Sequence, residues 1–492
     1  MKKFASQIAL SFLLLFAFFA GIGCSKKPAN GGGGPVIPVG PVTPVKSDVA
    51  MWLTTANQSV LFQKQNIALN FSTVNNNSNT TIAVDTTTMY QSIDGFGFCL
   101  TGGSATVINS LPASQENAIL QELFATDSTH IGISYLRISI GASDMSATDF
   151  TYDDMPTGQT DVNLANFSIS PELTDLVPVL KKIIAINPAI KILATPWTAP
   201  VWMKINTTGN NGFTAGSLNT TYYAAYATYF VKYIQAMKAQ GITVDAITPQ
   251  NEPLNANNNP AMVMQPAEED NFIKNNLGPQ FMAANISAKI IVYDHNADRT
   301  DYPLDIFADP AANPYVDGSA FHLYAGSIMA LTSVHNQYPN KNLYFTEQYT
   351  ATTGTFAGDL SWHITNLIVG ATQNWCRNVL EWNLATDANY GPHTTGGCPV
   401  CQGALTIVGS NITRNVSYYI IAHASKFVRP GAVRISTPVV SNLPNVAFKN
   451  IDGSKVLIVL NSANTSQTFN IQFNGKIVTS TLNSGAVATY VW

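Results

Sequence analysis

Short apolar runs alternate with longer segments of helical periodicity along most of the chain. Eight runs after about residue 90 are rich in β-branched and aromatic residues: IDGFGF, SYLRISIG, IKILATPW, VDAITPQNE, KIIVYDHN, VDGSAFHLY, KNLYFTEQY and NVLEWNLA. They are apolar at successive positions, which is typical of parallel strands that helices cover on both faces. The segments between them predict helices, among them 114–125, 171–185, 218–240 and 361–372.

Eight strands in alternation with helices predict an α/β fold, a (β/α)8 TIM barrel over residues 91–429. An open, doubly wound sheet is the main alternative. It is disfavoured because no glycine-rich phosphate-binding turn follows the first run and opens a helix.

The pattern changes after about Pro430. The runs NVAFKN, KVLIVLN, TFNIQF, KIVTSTLN and AVATYVW are short, and turn sequences such as DGS and NG separate them. Such a series of hairpins predicts a β-sandwich over residues 430–492, with an open barrel as the alternative. Residues 49–90 are also β-like and are predicted to complete that sheet, so that the β-domain is built from both chain ends.

The N-terminal residues 1–24 predict a lipoprotein signal peptide. Lys2 and Lys3 precede an apolar run over 8–22 that is too short for a stable membrane span. The run ends in GIGC, which resembles a bacterial lipoprotein cleavage site with Cys24 as the lipidated residue. Ordinary signal-peptidase cleavage nearby is the alternative. Residues 25–48 are rich in glycine and proline and predict a tether.

These features predict an exported bacterial lipoprotein that contacts the membrane only through its lipid. The outer membrane or the cell surface is the expected location, with the periplasmic face as a further option.

Composition narrows the class of ligand. Charged residues make up 11% of the 492 residues, against about 25% in an average protein, while aromatic residues make up 10%. The net charge of −4 argues against a nucleic-acid partner. A weakly charged, aromatic-rich protein suits an uncharged, hydroxylated ligand such as a carbohydrate.

Four cysteines besides Cys24 lie in the predicted barrel: Cys99, Cys376, Cys398 and Cys401. The CPVC segment has no second Cys or His pair at zinc-site spacing, so a disulfide in the loop is the favoured interpretation and zinc the alternative. The pairing of the four is left open.

Two acidic residues follow strongly β-prone runs. Glu252 ends VDAITPQNE and Glu347 ends NLYFTE, 95 residues later (347 − 252). Three βα units of about 30 residues each fit this interval, which places the two on strands four and seven. Because the carboxyl ends of barrel strands meet at the active-site face, we expect the carboxylates to face each other. Such a pair suits glycoside hydrolysis, with two unrelated solvated loop carboxylates as the alternative.

Other predicted strand ends carry polar or aromatic side chains. Asn251 is expected to bind a sugar 2-hydroxyl, and His322 to orient a carboxylate or bind a hydroxyl. Flat faces for sugar rings are expected from the aromatic side chains. Core packing is the alternative for the aromatic residues and for His322. The candidates beside the glutamates are Asp144, Trp197, Asn251, His322, Tyr324 and Trp382.

An ordered set of motifs resembles glycoside hydrolase family 30, the glucosylceramidase-like hydrolases of clan A, over residues 91–492. The motifs are YLRISIGASDMS, TYDD, TPWTAPVWMK, ITPQNEP, FHLY, YFTEQY, EWNLATD and RPGAVRI. The resemblance implies a retaining mechanism with Glu252 as general acid/base and Glu347 as nucleophile. It implies that the six candidates above line the subsite of the cleaved sugar, with Tyr324 close to the nucleophile. It implies no metal and no organic cofactor.

The expected substrate is a β-linked glucan or glucoside. The segment GGCPVCQGALTI is similar to that of family members acting on β-1,6-glucan, which makes this glucan the favoured substrate. Glucosylceramide, a simple β-glucoside and xylan are alternatives, as are a glycan-capture lipoprotein without catalysis and a structural lipoprotein. The mechanism requires a raised pKa at Glu252 while Glu347 stays ionised.

Overall fold

The structure, a computed structural model, describes residues 45–74, 76–127 and 129–492. The predicted signal peptide, Cys24 and most of the predicted tether lie outside the described residues. Among the described residues, four strands precede the barrel: β1 (Ala50–Thr54), β2 (Gln63–Lys64), β3 (Thr80–Ala83) and β4 (Asp85–Ser92).

The elements from residue 95 to residue 425 follow in chain order: β5 (Gly95–Cys99), α1 (Gly102–Asn109), α2 (Ala113–Phe124), β6 (Tyr135–Ser139), α3 (Leu176–Ile186), β7 (Lys191–Thr195), β8 (Lys204–Thr208), β9 (Thr214–Leu218), α4 (Tyr223–Ala239), β10 (Ala246–Ile247), α5 (Pro266–Phe272), α6 (Gly278–Ala283), β11 (Lys289–Ala297), α7 (Asp301–Ala308), β12 (Val316–Gly326), α8 (Ala330–Gln337), β13 (Asn342–Glu347), β14 (Thr350–Ala351), α9 (Phe356–His363), β15 (Cys376–Asn383), β16 (Ala385–Thr386), β17 (Cys401–Gln402), β18 (Leu405–Val408), β19 (Asn411–Arg414) and α10 (Val416–Ser425). Short 3-10 turns cover Ser170–Leu173, Val201–Met203, Asn210–Gly212, Thr220–Tyr222 and Asn313–Tyr315, and π-helical turns cover Ile273–Leu277 and Ile364–Ala371.

The remaining strands are β20 (Val433–Ser436), β21 (Asn445–Lys449), β22 (Lys455–Leu460), β23 (Gln467–Phe473), β24 (Lys476–Leu482) and β25 (Val487–Val491).

Eight parallel strands close into a barrel in the order β5, β6, β7, β10, β11, β12, β13 and β15, and β15 pairs again with β5. Every residue of β5 and β6 is buried, because helices cover the outer face and side chains fill the inner one. One inner layer takes a residue from each of seven strands: Tyr135, Leu193, Ala246, Ile291, Ala320, Tyr344 and Leu380. The predicted TIM barrel is confirmed.

A glycine permits the close approach of the first two barrel strands. A Cβ at Gly97 would lie 1.8 Å from the carbonyl oxygen of Tyr135. The GFGF glycines of the first run therefore serve strand packing, which glycine allows because it has no side chain.

Helix boundaries differ from the sequence pattern in one instructive place. The helix predicted over 361–372 begins five residues earlier, at Phe356, because the Thr355 side chain accepts a hydrogen bond from the Gly358 N–H. From Ile364 the segment continues with π-helical geometry. The apolar periodicity located the buried face but not the capping residue.

Strands from both chain ends form the β-domain. One sheet has the order β2-β1-β25-β22-β21-β20-β4, and a second has the order β24-β23-β3. Side chains of both sheets share a core that includes Met51, Ile82, Leu457, Phe469 and Tyr490. The predicted β-sandwich built from both chain ends is thereby confirmed as part of the fold class.

No helix in the described part of the chain combines the length and the apolar character that crossing a bilayer requires.

Candidate active site

Glu252 and Glu347 face each other at the carboxyl ends of the barrel strands. Glu347 is the last residue of β13, whereas Glu252 lies five residues beyond β10. Carboxylate oxygens of both residues and a ring nitrogen of His322 all lie within 4.8 Å of one another. Both glutamates are buried, with 7% and 6% of their surface exposed. The sequence order of strands four and seven thus places two carboxylates across one barrel mouth.

The ITPQNEP segment leaves the strand ladder earlier than its β-prone sequence predicts. The strand ends at Ile247, and Pro249 has no N–H to continue it. Hydrogen bonds to neighbouring loops replace the ladder: the Asn251 N–H donates to the Pro196 carbonyl at 2.8 Å and the Glu252 N–H to the Asp294 carbonyl at 3.0 Å. Glu252 adopts a positive φ of 42°, a conformation that costs free energy for a residue with a side chain.

The Glu252 carboxylate has a histidine and an amide as partners. One oxygen lies 3.0 Å from His322 Nδ1, and the other accepts from Asn255 Nδ2 at 2.8 Å. His322 is fully buried in β12, and its Nε2 lies 3.2 Å from Asp294 Oδ1. The imidazole therefore connects two carboxylates.

The Glu347 carboxylate has a guanidinium and a phenol as partners. Arg137 donates to Oε2 at 2.7 Å, and the Tyr324 hydroxyl donates to Oε1 at 3.0 Å. Arg137 also donates to Asn251 Oδ1 at 2.6 Å and to Asp294 Oδ2 at 2.8 Å. The predicted proximity of Tyr324 to Glu347 is present in the structure.

Arg137 and Asp294 belong to the site, although the sequence analysis did not select them. Arg137 lies in the middle of the apolar strand β6 and is completely buried, as is Asp294. A signal for Arg137 did exist, because a charged residue inside an otherwise apolar barrel strand must find a buried partner. For Asp294, the signal was its position, together with His295, at the end of the predicted strand KIIVYDHN.

A backbone irregularity in β11 directs Asp294 into the barrel. Tyr293 and Asp294 have positive φ values of 77° and 56°, and the pairing with β12 shifts register between Tyr293 and His295. Such a bulge changes which side chains point inward. Asp294 and His322 can therefore meet, although each strand by itself alternates its side chains.

Charges in the cluster set the protonation of its members. Burial lowers the pKa of His322, but the negative charges of Glu347, Asp294 and Glu252 raise it to about 9. Burial raises the pKa of Glu252, but the hydrogen bond and charge of His322 outweigh burial and lower it to about 2. Burial, together with the charge of Glu252, raises the pKa of Glu347, although the positive charges of His322 and Arg137 oppose this rise.

This order differs from the expected one, in which Glu252 has the raised pKa. The reason is the position of His322: the carboxylates around it favour a proton on its ring, and its positive charge favours an ionised Glu252. Transfer of that proton along the 3.0 Å contact gives a neutral imidazole and a protonated Glu252. The pair as a whole stores the proton that a general acid needs.

The site cavity has a volume of about 540 Å³. Of the predicted residues, Asp144, Tyr324 and Trp382 line it beside the two glutamates, and further lining residues are Leu254, Asn255, Asn258, His295, Asn296, Tyr349, Cys398 and Cys401. Within the described part of the chain, Asp144 Oδ1 is buried without a partner, and burial with the charges of Glu347 and Glu252 raises its pKa to about 8. Asp144 thus offers a hydrogen-bonding group to a ligand.

Trp197 and Trp382 pack against each other with ring centroids 5.4 Å apart. The Arg137 guanidinium lies 4.9 Å from the Trp197 ring centroid and 5.7 Å from that of Trp382. Trp382 reaches the cavity, whereas Trp197 is 1% exposed and supports both Trp382 and Arg137. Of the aromatic residues expected to offer a flat face to a sugar ring, Trp382 and Tyr324 therefore reach the cavity.

A disulfide joins Cys398 to Cys401 and forms part of the cavity wall. In the described part of the chain, Cys99 and Cys376 are buried free thiols. The loop disulfide was the favoured interpretation of the CPVC segment, and the structure supplies its pairing.

Donor atoms of Glu252, His322 and Glu347 come close enough together to receive a cation. Each residue is already hydrogen-bonded within the protein, and the Arg137 guanidinium supplies a positive charge beside them. The hydrogen bonds and charges of this donor set are therefore satisfied within the protein.

Comparison with known proteins agrees with this architecture. Residues 93–428 match the glycosyl hydrolase family 30 TIM-barrel domain, and residues 431–490 match the family 30 beta sandwich domain. The chain is 37% identical over 387 residues to endo-1,6-beta-D-glucanase of Neurospora crassa, covering 75% of this chain and 79% of that protein. It is 37% identical over 400 residues to endo-1,6-beta-D-glucanase BGN16.3 of Trichoderma harzianum, covering 77% and 79%.

A solved structure extends the similarity to three dimensions. The endo-beta1,6-glucanase BT3312 superposes with a TM-score of 0.84 at 37% identity, covering 91% of this chain and 99% of that one. These matches show that the chain, whose barrel carries two facing glutamates at its mouth, belongs to glycosyl hydrolase family 30 and is a glycoside hydrolase.

Proposed function

We propose that the protein is a retaining endo-hydrolase of β-1,6-linked glucan, with Glu347 as nucleophile and Glu252 as general acid/base. The observation that carries the mechanism is the short separation of the two carboxylates, since one oxygen of Glu252 lies within 4.8 Å of one oxygen of Glu347. Retaining enzymes hold their carboxyl groups about 5–5.5 Å apart, whereas inverting enzymes leave about 6.5–9.5 Å for a water molecule.

In the first step Glu347 attacks the anomeric carbon, and the bond to the leaving oxygen breaks as that oxygen takes a proton from Glu252. Arg137 and Tyr324 each hold one oxygen of Glu347, which fixes the direction of attack. In the second step Glu252 removes a proton from water, and the water oxygen displaces Glu347 from the sugar.

His322 supplies Glu252 with the proton that the first step uses. Once Glu347 is esterified, its negative charge beside His322 is gone, and the pKa of the imidazole falls. The Glu252–His322 pair, which lost its proton in the first step, therefore stays unprotonated until it accepts the proton of water in the second step, with Glu252 as the group that contacts the water.

The choice of β-1,6-glucan is supported by similarity. The relatives described above are named as endo-1,6-beta-glucanases and share 37% identity with most of the chain. The names of these relatives point to the same substrate as the resemblance of the GGCPVCQGALTI segment does, and together they favour a β-1,6 linkage and endo action on it.

A substrate panel tests the proposal. Linear β-1,6-glucan, β-1,3-glucan, glucosylceramide and xylan are incubated with the enzyme, and products are separated by size. We expect short β-1,6-linked oligosaccharides of several lengths, and NMR at early times should show the β anomer as the first product.

Glu347→Gln is the matched inactive variant, because it keeps the shape of the side chain and removes its negative charge. Turnover is expected to fall by at least about 10⁴-fold, while the circular dichroism spectrum stays that of the wild type. Activity near the wild-type level in this variant would contradict the nucleophile, and preferential cleavage of xylan or glucosylceramide would contradict the substrate.

We also propose that the enzyme is exported and anchored through lipid on Cys24. The support is in the sequence: Lys2 and Lys3, the apolar run over 8–22 and the GIGC segment. Mass spectrometry of the N-terminal peptide and membrane fractionation of wild type and Cys24→Ser test it. Wild type in the soluble fraction, or a membrane-bound Cys24→Ser, would refute the anchor.

A further inference from the structure

The carboxylate of Asp294 connects the partners of both active-site glutamates. Its Oδ2 accepts from Arg137 at 2.8 Å, and its Oδ1 lies 3.2 Å from His322 Nε2. Arg137 in turn contacts Glu347, and His322 contacts Glu252. Asp294 is therefore connected to Glu347 through Arg137 and, separately, to Glu252 through His322.

Asp294 has further contacts beside those to Arg137 and His322. Three threonine hydroxyls also approach its carboxylate, at 2.6 Å from Thr346, 2.8 Å from Thr248 and 3.3 Å from Thr195. Its main chain adopts a positive φ of 56° within the register shift of β11, and its carbonyl oxygen accepts the N–H of Glu252. Strained conformations of this kind persist where surrounding contacts fix them, and they concentrate at functional sites.

We propose that Asp294 is a positioning residue of the glycosidase reaction. It orients Arg137 toward Glu347, and by accepting a hydrogen bond from His322 Nε2 it keeps the proton on His322 Nδ1 directed toward Glu252. This inference rests on the proposed function of the two glutamates. Asp294 does not line the cavity and acts only through Arg137 and His322.

The charges around His322 come from several elements. Asp294 of β11 faces Nε2, Glu252 faces Nδ1, and Glu347 of β13 lies 3.7 Å from Nδ1. The rings of His295 and Tyr324 lie 6.3 Å and 6.1 Å away between centroids. Beyond them, Arg137 and the buried Glu269 interact electrostatically with Asp294. Of these groups, Asp294 is the acceptor at Nε2, so that the Nδ1 proton remains available to Glu252.

Neutralising Asp294 is expected to affect acid assistance more than nucleophilic attack. In Asp294→Asn the imidazole loses a negative neighbour, so its pKa falls from about 9 and the pair loses its proton at lower pH. The kcat/KM for β-1,6-glucan, whose leaving oxygen needs a proton, should drop about 100-fold. For 2,4-dinitrophenyl β-glucoside, whose leaving group needs none, it should drop less than about tenfold.

The experiment measures kcat/KM against pH for both substrates in wild type, Asp294→Asn and the control Asp309→Asn. Asp309 pairs with Lys274 at the surface, so its variant should match the wild type. In Asp294→Asn the alkaline limb of the glucan profile should move to lower pH. If the alkaline limb does not move, or if kcat/KM falls equally for both substrates, the positioning role is overturned.

A titration separates this inference from the proposed substrate and from folding failure. NMR of histidine labelled with ¹⁵N follows the His322 ring in the enzyme without substrate, with His322→Gln for assignment. We expect titration in the wild type well above 6.5 and at lower pH in Asp294→Asn. If Asp294→Asn does not fold, the titration of the wild type alone still tests the inference, because a pKa of His322 at or below 6.5 would overturn it. Absence of glucan cleavage with the expected titration would refute the substrate alone.

Discussion

At the scale of the residue, buried charges determine what the site can do. Arg137 and Asp294 are fully buried and paired, and Arg137 also pairs with Glu347. A buried charge is tolerated only with partners of opposite sign and good hydrogen-bond geometry. The glutamates could be predicted from sequence, because acidic residues at strand ends are conspicuous. Arg137 could not be selected in the same way, because one charged residue does not change the apolar pattern of its strand.

Arg137→Gln tests this arrangement. Removal of the guanidinium takes the Arg137 partner from two buried carboxylates, Asp294 and Glu347, so the free energy of unfolding should fall by about 3–5 kcal/mol, as measured by urea titration. Arg299→Gln is the control, because the ion pair of Arg299 with Asp301 is roughly half exposed and should contribute less than about 1 kcal/mol. Equal losses in the two variants would show that burial of the charge is not what matters.

At the scale of the element, loops beyond the strands shape the cavity. The segment from Thr394 to Gln402 contacts three neighbouring loops: the Thr394 N–H donates to the Asp144 carbonyl, the Thr394 hydroxyl to the Asn259 carbonyl, and β17 pairs with β14. The Cys398–Cys401 disulfide lies where this segment meets the cavity. Local pattern predicted the disulfide but not which wall it would form, because the contacts come from loops far apart in sequence.

The double variant Cys398→Ser/Cys401→Ser tests whether the disulfide holds this part of the cavity wall in place. Without the crosslink the loop samples more conformations before binding, so KM for β-1,6-glucan should rise roughly three- to tenfold, the effect of losing on the order of 1 kcal/mol of binding. The kcat should change less, because no catalytic contact is removed. Steady-state kinetics measure both constants. Cys376→Ala is the control, because Cys376 is the first residue of β15, at the end of the strand away from the cavity. A loss confined to kcat would contradict this role.

At the scale of the whole molecule, a buried histidine joins the barrel to the β-domain. His423 of α10 places Nδ1 2.8 Å from the Thr489 hydroxyl of β25 and Nε2 2.8 Å from the Thr54 hydroxyl of β1. The Thr489 hydroxyl donates to the His423 carbonyl, so it accepts from Nδ1–H, and Nε2 is left to accept from Thr54. One neutral imidazole therefore connects the barrel to strands from both chain ends.

This contact predicts a loss of stability in acid. Burial lowers the pKa of His423 to about 3, against about 6.5 in an unfolded chain. The unfolded state therefore binds the extra proton first, and the free energy of unfolding falls as pH drops from about 6.5 toward 3, by up to about 1.4 kcal/mol for each pH unit. Above pH 6.5 this contribution is constant.

Urea unfolding at pH 6.5 and 4.5 measures the effect. His423→Gln removes the titrating group and should lose less stability between the two pH values than the wild type does. His130→Gln, which alters a histidine paired with Asp127 at the surface, is the control and should behave as the wild type. An unchanged pH dependence in His423→Gln would show that other groups cause the acid sensitivity.

The sequence by itself determined the architecture and where in it the two glutamates lie. Hydrophobic periodicity is a local property, and eight buried strands in alternation with helices close in few ways, so the barrel and the places of Glu252 and Glu347 followed from pattern. Only the tertiary structure decided which groups surround them. Arg137 meets Asn251, Asp294 and Glu347 across 114, 157 and 210 residues, and a bulge in β11 brings Asp294 to His322. The protonation of Glu252 depends on the field of these neighbours, and no local pattern contains their distances.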